Sequence, residues 1–479
     1  MAVNNLADQP KDSPNMPPKF GTSGLRGLVT ELTPDLVGAY TRAFLTACPT
    51  GNAVHVGWDL RASSPDIAAS VIDAITTAGL AAIVDGPLPT PALALASLSA
   101  GNSAVMITGS HIPADRNGLK FYTPQGEITK ADEEAILAQF GTDTSATTPG
   151  TQEQAGDAAI AAYHARYTNA FGPQALSGLR IGVYQHSSVA RDIMVQVVND
   201  LGGTAVALAQ SDVFIPVDTE AVDPDTRAQL ADWCKTHQLD ALISTDGDAD
   251  RPMVTDATGQ IVPGDVLGAL TAQMLGAKTI CTPVSSNTMI AQMPVFKTLH
   301  LTRIGSPFVI AAMEGVLQTD PTARVVGYEA NGGFLLGFDA QGPAGPLAPL
   351  MTRDCLLPML APLSMVVTSG QTLADLVAAL PARFTASDRL TGIPTEASKP
   401  FLEHISGDAD ARSAFFADMD DEQTVDLTDG LRVTFASGDV VHLRPSGNAP
   451  EFRCYAEASS AARAQTLLER YLTQLKATF

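Results

Sequence analysis

The sequence is short of charge, of basic residues in particular, and of long apolar runs. Charged residues fill 17% of the 479 positions, below the roughly 25% usual in soluble chains. Lys and Arg number 29 against 51 Asp and Glu, a formal net charge of −22. This excludes the basic field that nucleic acid or an anionic membrane requires, so an anionic ligand would need a local basic pocket. A hydrophobic content of 45% excludes a disordered chain. The longest apolar stretch, Leu356 to Val367, is too short to span a bilayer and contains Pro358 and Pro362. Cysteine is scarce: Cys48, Cys234, Cys281, Cys355 and Cys454 are an odd set without a CxxC, which excludes a disulfide framework and a zinc cluster. The first twenty residues lack the basic-then-apolar pattern of a secretory signal. They are expected to form a proline-rich lead-in, and the protein is expected in a reducing cytoplasm. GxxxxGK[ST] and GxSxG are also missing, which excludes a P-loop and a nucleophile elbow.

What is present is alternation. Short β-rich runs trade places with helical-period segments, which predicts α/β units with largely parallel sheets. At roughly 150 residues per domain the length suits three or four domains. Composition shifts place boundaries near 150–156, 257–260 and 366–370, giving units 1–153, 154–257, 258–367 and 368–479. An internal echo runs through the first three: VHVG (54–57) leads to Ser63-Ser64, IGVY (181–184) to Ser187-Ser188, and TICTPV (279–284) to Ser285-Ser286. Each serine pair is expected to cap a helix. A later strand of each unit then opens into a polar, Gly-rich loop: AVMI (104–107) into TGSHIPADRNG, ALIST (241–245) into DGDADR, RVV (324–326) into GYEANGG. Ligands of α/β sheets collect at such carboxyl ends, so the three loops are expected to converge on one cleft. The last unit differs, with short strands in LRVTF, DVVHLRPSG and FRCYAEA and a helix from Ser460.

The loops carry chemistry. Asp246, Asp248 and Asp250 alternate with small residues, and alternation in an extended segment turns all three carboxylates one way. Three hard oxygen donors suit Mg²⁺. An EF-hand is excluded, because Arg251 and Ala257 stand where that loop needs Gly and Glu. Ser110, with His111 beside it and Lys120 downstream, ends a strand, and a serine ester phosphate there would supply a ligand the ion lacks. Arg444, Ser446, Gly447, Asn448 and Arg453 surround a tight turn, an anion nest flanked by guanidinium forks. Glu329 and Asn331 offer a carboxylate and an amide to vicinal sugar hydroxyls. Arg26 lies in a Gly-rich turn as a further phosphate clamp.

In this order and over nearly the whole chain, these segments resemble the α-D-phosphohexomutases, most closely their bacterial phosphomannomutase branch. The resemblance implies three related α/β domains and a C-terminal α+β domain around a central cleft. It implies that Ser110 is the phosphorylated serine, that Asp246, Asp248 and Asp250 hold Mg²⁺ with the Ser110 phosphate, and that Glu329 and Asn331 select the sugar. Arg444, Ser446, Gly447 and Asn448 would bind the non-reacting phosphate, and Arg26, His111, Lys120 and Arg251 would surround the transferred one. Either Lys120 or His111 would serve as general base. Hexose phosphates are the implied partners, a hexose 1,6-bisphosphate the intermediate, and mannose phosphate the principal sugar with detectable glucose phosphate turnover. The chain departs from the family pattern at Ile112, Tyr328 and Asn448-Ala449.

Overall fold

The computed structural model describes residues 18–21, 24–142, 146–446 and 450–479. Four sheets of five or more strands, each formed within one stretch of chain, organise them, beside one two-stranded ribbon, Ala340–Gln341 with Pro346–Leu347. In the first, strand Ala53–Trp58 runs parallel to Ala81–Pro87 and Ser103–Ile107. These strands read as near-continuous apolar runs because helices cover both faces. Val54, Val56, Val105 and Ile107 enter one apolar core, while Ala104 and Met106 enter another on the opposite face. Helix Pro34–Ala47 shows why the flanking segments are helical: Thr33 accepts from the Leu36 N–H, and Pro34 takes the first position, where no hydrogen bond is lost.

The second sheet sets Thr204–Gln210, Arg180–His186 and Ala241–Thr245 parallel, and the third does the same with Thr298–Thr302, Thr279–Pro283 and Val325–Tyr328. The sheets are therefore less parallel than the sequence suggests. In each, the strand that opens into a polar loop returns as an antiparallel hairpin. Ser103–Ile107 pairs with Arg116–Thr123, Ala241–Thr245 with Pro252–Thr255, and Val325–Tyr328 with Phe334–Leu336. Each polar loop is thus clamped at both ends by one ladder, which fixes it more firmly than a free strand-to-helix connection would.

The fourth sheet is wholly antiparallel, in the order Phe384–Thr391, Glu451–Ala458, Val440–Pro445, Leu431–Phe435, Glu422–Asp426. Helix Ala461–Thr478 packs on it, its N-terminus capped by Ser460. Two of the expected boundaries fall beside regular elements. Ile261–Val262 still belongs to the second sheet, and the stretch around 366–370 ends the helix Leu356–Ser369.

Leu356–Ser369 is the long apolar stretch, and it is buried rather than membrane-spanning. Among the described residues no helix is long and apolar enough to cross a membrane. With helices Thr90–Ser99, Ala158–Phe171 and Gly264–Met274 it builds one core shared by the first three units, whereas the fourth unit has its own. The fourth is tied on by polar contacts: Glu457, which holds Arg383 Nε at 2.5 Å within the unit, accepts from the Thr288 N–H at 3.0 Å, and Asn287 Nδ2 donates to the Arg383 carbonyl. All five cysteines are unpaired and buried.

Candidate active site

The metal-loop carboxylates converge by a different route from the one expected. The loop is a tight turn, not an extended segment: the Asp246 N–H donates to the Arg251 carbonyl at 3.3 Å, and Ala249 adopts the left-handed conformation, φ 58°. Asp246, Asp248 and Asp250 are all buried, and one ligand oxygen from each falls within 4.8 Å of the others. Their protein contacts leave room for an ion. Asp248 Oδ2 accepts from Thr90 Oγ1 and from Lys120 Nζ, both at 2.6 Å. Asp250 Oδ2 accepts from Lys120 Nζ at 2.6 Å and pairs with Arg353 Nη2 at 2.7 Å. Asp248 Oδ1 and Asp250 Oδ1 are buried without a hydrogen-bond partner. Two orphaned carboxylate oxygens in an oxygen-only cluster fit a hard divalent cation.

Ser110 meets this cluster from the first unit. Its Oγ donates to Asp246 Oδ2 at 2.5 Å and lies 3.3 Å from His111 Nδ1. Its backbone is left-handed, φ 55°, an unusual state for serine, held by its own N–H donating to Thr108 Oγ1 at 2.7 Å. Close approach of the two loops depends on Gly247, whose Cβ, were there one, would sit 2.8 Å from the Phe214 ring and 2.9 Å from the Ser110 carbonyl oxygen. Burial, with the Arg251 and Arg26 cations nearby, pushes His111 well below its ordinary pKa, so its imidazole is neutral at pH 7. Burial and Arg251 likewise lower Arg26 to about 10.

Two arginines that sequence reasoning missed brace this arrangement. Arg61 is buried, ion-paired to Asp59 at 3.1 Å, and donates to the carbonyls of Ser110, Ile112, Pro113 and Arg116. Its guanidinium lies 3.9 Å from the centroid of Phe214, a cation–π contact between the first two units. Arg353, buried on strand Leu350–Asp354, reaches Asp250 and also lies 3.5 Å from Glu329. The one trace of Arg61 in the sequence is its place after Asp59, between VHVG and Ser63-Ser64, which does not by itself mark a role. That serine pair also corrects the capping expectation. Ser63 makes no side-chain cap, and Ser64 Oγ instead donates to Asp59 at 2.6 Å while Asn117 Nδ2 donates to both hydroxyls. Ser187 and Ser286 similarly serve loops, through Ile215 and Thr282.

The other expected residues line one cavity of about 910 Å³ between the units, among them Arg26, His111, Arg251, Glu329, Asn331, Arg444, Ser446 and Arg453. Arg116, Arg353 and Arg389 add to its wall, so an acidic protein concentrates seven arginines around one cleft. Glu329 and Asn331 are buried in a turn where Gly332 has φ 86° and Asn331 Oδ1 accepts from the Gly333 N–H at 2.9 Å. Arg444 and Arg453 face each other across neighbouring strands. Asp429 holds Arg444 Nε at 2.9 Å, and Glu451 holds Arg453 Nη2 at 3.2 Å. Gly447 and Asn448 lie outside the described residues. Lys120 is not on the cavity wall; it lies behind, in the carboxylate cluster.

Models of the four phosphoglucomutase/phosphomannomutase domains match the chain: alpha/beta/alpha domain I over residues 17–147, domain II over 161–259, domain III over 263–384 and the C-terminal domain over 374–474. A phosphomannomutase of Sinorhizobium fredii is 43% identical over 474 residues, 97% of this chain and all of that protein. The chain belongs to this family. A phosphomannomutase of Salmonella muenchen is also 43% identical, over 95% of each chain. A phosphoglucomutase/phosphomannomutase family protein of Burkholderia thailandensis shares the fold, with a TM-score of 0.75 at 21% identity over 95% of this chain and 97% of that one. The protein is therefore an intramolecular phosphotransferase of the phosphohexomutase family, with the four-unit α/β architecture expected of it.

Proposed function

We propose that the protein is a phosphomannomutase that interconverts mannose 6-phosphate and mannose 1-phosphate through a phosphoserine at Ser110 and a mannose 1,6-bisphosphate. The observation that carries this reading is the 2.5 Å contact of Ser110 Oγ with Asp246, inside an acidic cluster whose neighbours His111 and Arg251 line an arginine-rich cleft. The 43% identity to two phosphomannomutases favours mannose as the sugar.

In the first half-reaction the Ser110 Oγ–P bond breaks as a hydroxyl oxygen of the sugar phosphate forms a new O–P bond. The proton leaves that hydroxyl for a base in the cleft. His111 suits this task, because its imidazole is neutral and adjoins Ser110. Lys120 is engaged as an ammonium by two carboxylates and serves as a positive charge. The bisphosphate turns, Ser110 Oγ takes its other phosphoryl group, and the proton returns to the departing sugar oxygen. Asp246, Asp248 and Asp250 would hold Mg²⁺, which supplies charge neutralisation for the transferring phosphoryl group. Arg251 and Arg26 add to the same field. Glu329 and Asn331 grip hydroxyls common to mannose and glucose, and Arg444, Ser446 and Arg453 receive the phosphate that is not reacting. Gly447 and Asn448 are assigned to that phosphate by the family resemblance alone.

Intact-mass measurement of the purified protein tests the reading. A species one phosphate heavier, mapped to Ser110 and discharged by mannose 1-phosphate without release of inorganic phosphate, is the expected result. Inorganic phosphate released in step with that discharge would make the protein a phosphatase instead.

A further inference from the structure

A cleft built for phosphates gains nothing from carboxylates unless they do something else. Six line it: Asp218, Glu220, Asp223, Glu329, Asp388 and Glu451. Five are committed. Asp218 lies 4.0 Å from Arg251, and Asp223 caps helix Pro224–His237 by accepting from the Thr226 N–H. Glu329 takes Arg353 and Asn331, Asp388 accepts from the Arg389 N–H, and Glu451 pairs with Arg389 and Arg453. Of these six, the Glu220 carboxylate alone accepts no hydrogen bond and makes no ion pair, although its own N–H donates to Asp218 Oδ1 at 3.2 Å.

Its position is not accidental. Thr219 Oγ1 donates to the Asn331 carbonyl at 3.3 Å, which fastens this loop of the second unit to the sugar loop of the third. Farther back, the Ile215 N–H donates to Ser187 Oγ at 2.7 Å. Glu220 is therefore one residue from a contact with the sugar loop, exposed to the cavity, with its backbone held and its acceptor oxygens free. Enclosure by the cleft walls pushes its carboxyl up, Arg251 draws it down again, and Asp218 and Glu329 oppose that. A free acceptor fixed beside a sugar loop matches a sugar hydroxyl; it opposes a phosphate.

We propose that Glu220 is a specificity-determining residue, whose carboxylate accepts a hydrogen bond from the axial 2-hydroxyl of a mannose phosphate. This rests on the mutase reading above, in which Glu329 and Asn331 hold hydroxyls that mannose and glucose share. Carbon 2 is the only place where the two sugars differ. A site that pairs with a hydroxyl discriminates against the sugar that presents it elsewhere, because the acceptor is then left desolvated and unpaired.

The test is a graded series, Glu220→Ala and Glu220→Gln. The ratio of kcat/KM for mannose 1-phosphate to that for glucose 1-phosphate should fall about tenfold in Glu220→Ala, the effect of one charge-assisted hydrogen bond. Glu220→Gln, which keeps a neutral acceptor, should fall between. Calorimetric titration of mannose 6-phosphate and glucose 6-phosphate into Ser110→Ala protein, with and without the Glu220 change, gives the same ratio without turnover. A ratio that stays constant in both measurements overturns the proposal, as does an equal loss for both sugars. A binding ratio that shifts in this way, while protein with Ser110 intact shows no mutase turnover, supports the role of Glu220 and refutes the mutase reading instead.

Discussion

Ser110 and Asp246 lie 136 residues apart in the chain, and their side chains meet at 2.5 Å. A serine from the first unit thus touches a carboxylate of the aspartate loop of the second, and on the proposed reading neither loop forms the reaction centre alone. Ser110→Ala should reduce mutase turnover to background while urea unfolding stays within about 1 kcal/mol of the original, since only the hydroxyl contacts with Asp246 and His111 are lost. A steady-state assay with the bisphosphate supplied would detect any residual activity, and full activity would refute the covalent carrier.

Removing divalent ions should abolish activity, and Mg²⁺ should restore it better than Ca²⁺. The free oxygens Asp248 Oδ1 and Asp250 Oδ1 belong to a small, closed cluster, which suits the smaller ion with its stricter geometry. Undiminished rates after exhaustive chelation would contradict this.

How much of this was readable beforehand depends on sequence distance. Ser110, the three aspartates and Glu329 sit in loops whose Gly, Ser, Asn and Asp content stands out against apolar strands, so they could be found one by one. Their convergence was inferable because each loop leaves a strand of a repeated unit. Arg61 and Arg353 could not be recognised in the same way. Each is a lone arginine beside a strand, and its role exists only through carbonyls or carboxylates supplied by distant loops. The aspartate turn was found for a partly wrong reason, because the left-handed Ala249 leaves no mark in the sequence.

Gly247→Ala should be far more damaging than a methyl group suggests. The added carbon meets the Phe214 ring and the Ser110 carbonyl, so the metal loop has to withdraw from the nucleophile. Destabilisation of about 1–3 kcal/mol is expected from overpacking, together with a fall in kcat beyond any change in KM. Denaturant titration and steady-state kinetics on the same sample separate the two effects.

Arg444→Ala should raise KM about tenfold for both mannose 1-phosphate and mannose 6-phosphate, as loss of a charge-assisted phosphate contact would. On the proposed reading this loop binds whichever phosphate is not reacting. A KM change confined to one direction would show that the bisphosphate does not use this wall in both orientations.

His442 should make the fourth unit acid-sensitive. Its Nε2 donates to the Asp429 carbonyl at 2.6 Å, its Nδ1 is buried without a partner, and burial lowers its pKa to about 4. The unfolded imidazole titrates near 6.5. Below that pH the unfolded chain binds a proton that the folded chain refuses, so stability is lost as pH falls from about 6.5 to about 4. The loss approaches on the order of 3 kcal/mol. Urea unfolding at pH 7.5 and pH 5 should show this slope in the original protein and a shallower one in His442→Gln.

The buried thiols give the molecule an internal clock. Cys48 lies in the first unit, Cys234 in the second, Cys281 and Cys355 in the third and Cys454 in the fourth, so every unit carries at least one. Burial raises Cys48, Cys281 and Cys454 to about 12, which leaves almost no thiolate while the fold is closed. An alkylating reagent therefore marks a cysteine only when its own unit opens. The order of labelling should follow the cores: Cys454 before Cys355, because the fourth unit has a separate core and is joined by polar contacts, while Cys355 lies in the apolar mass that the other three share.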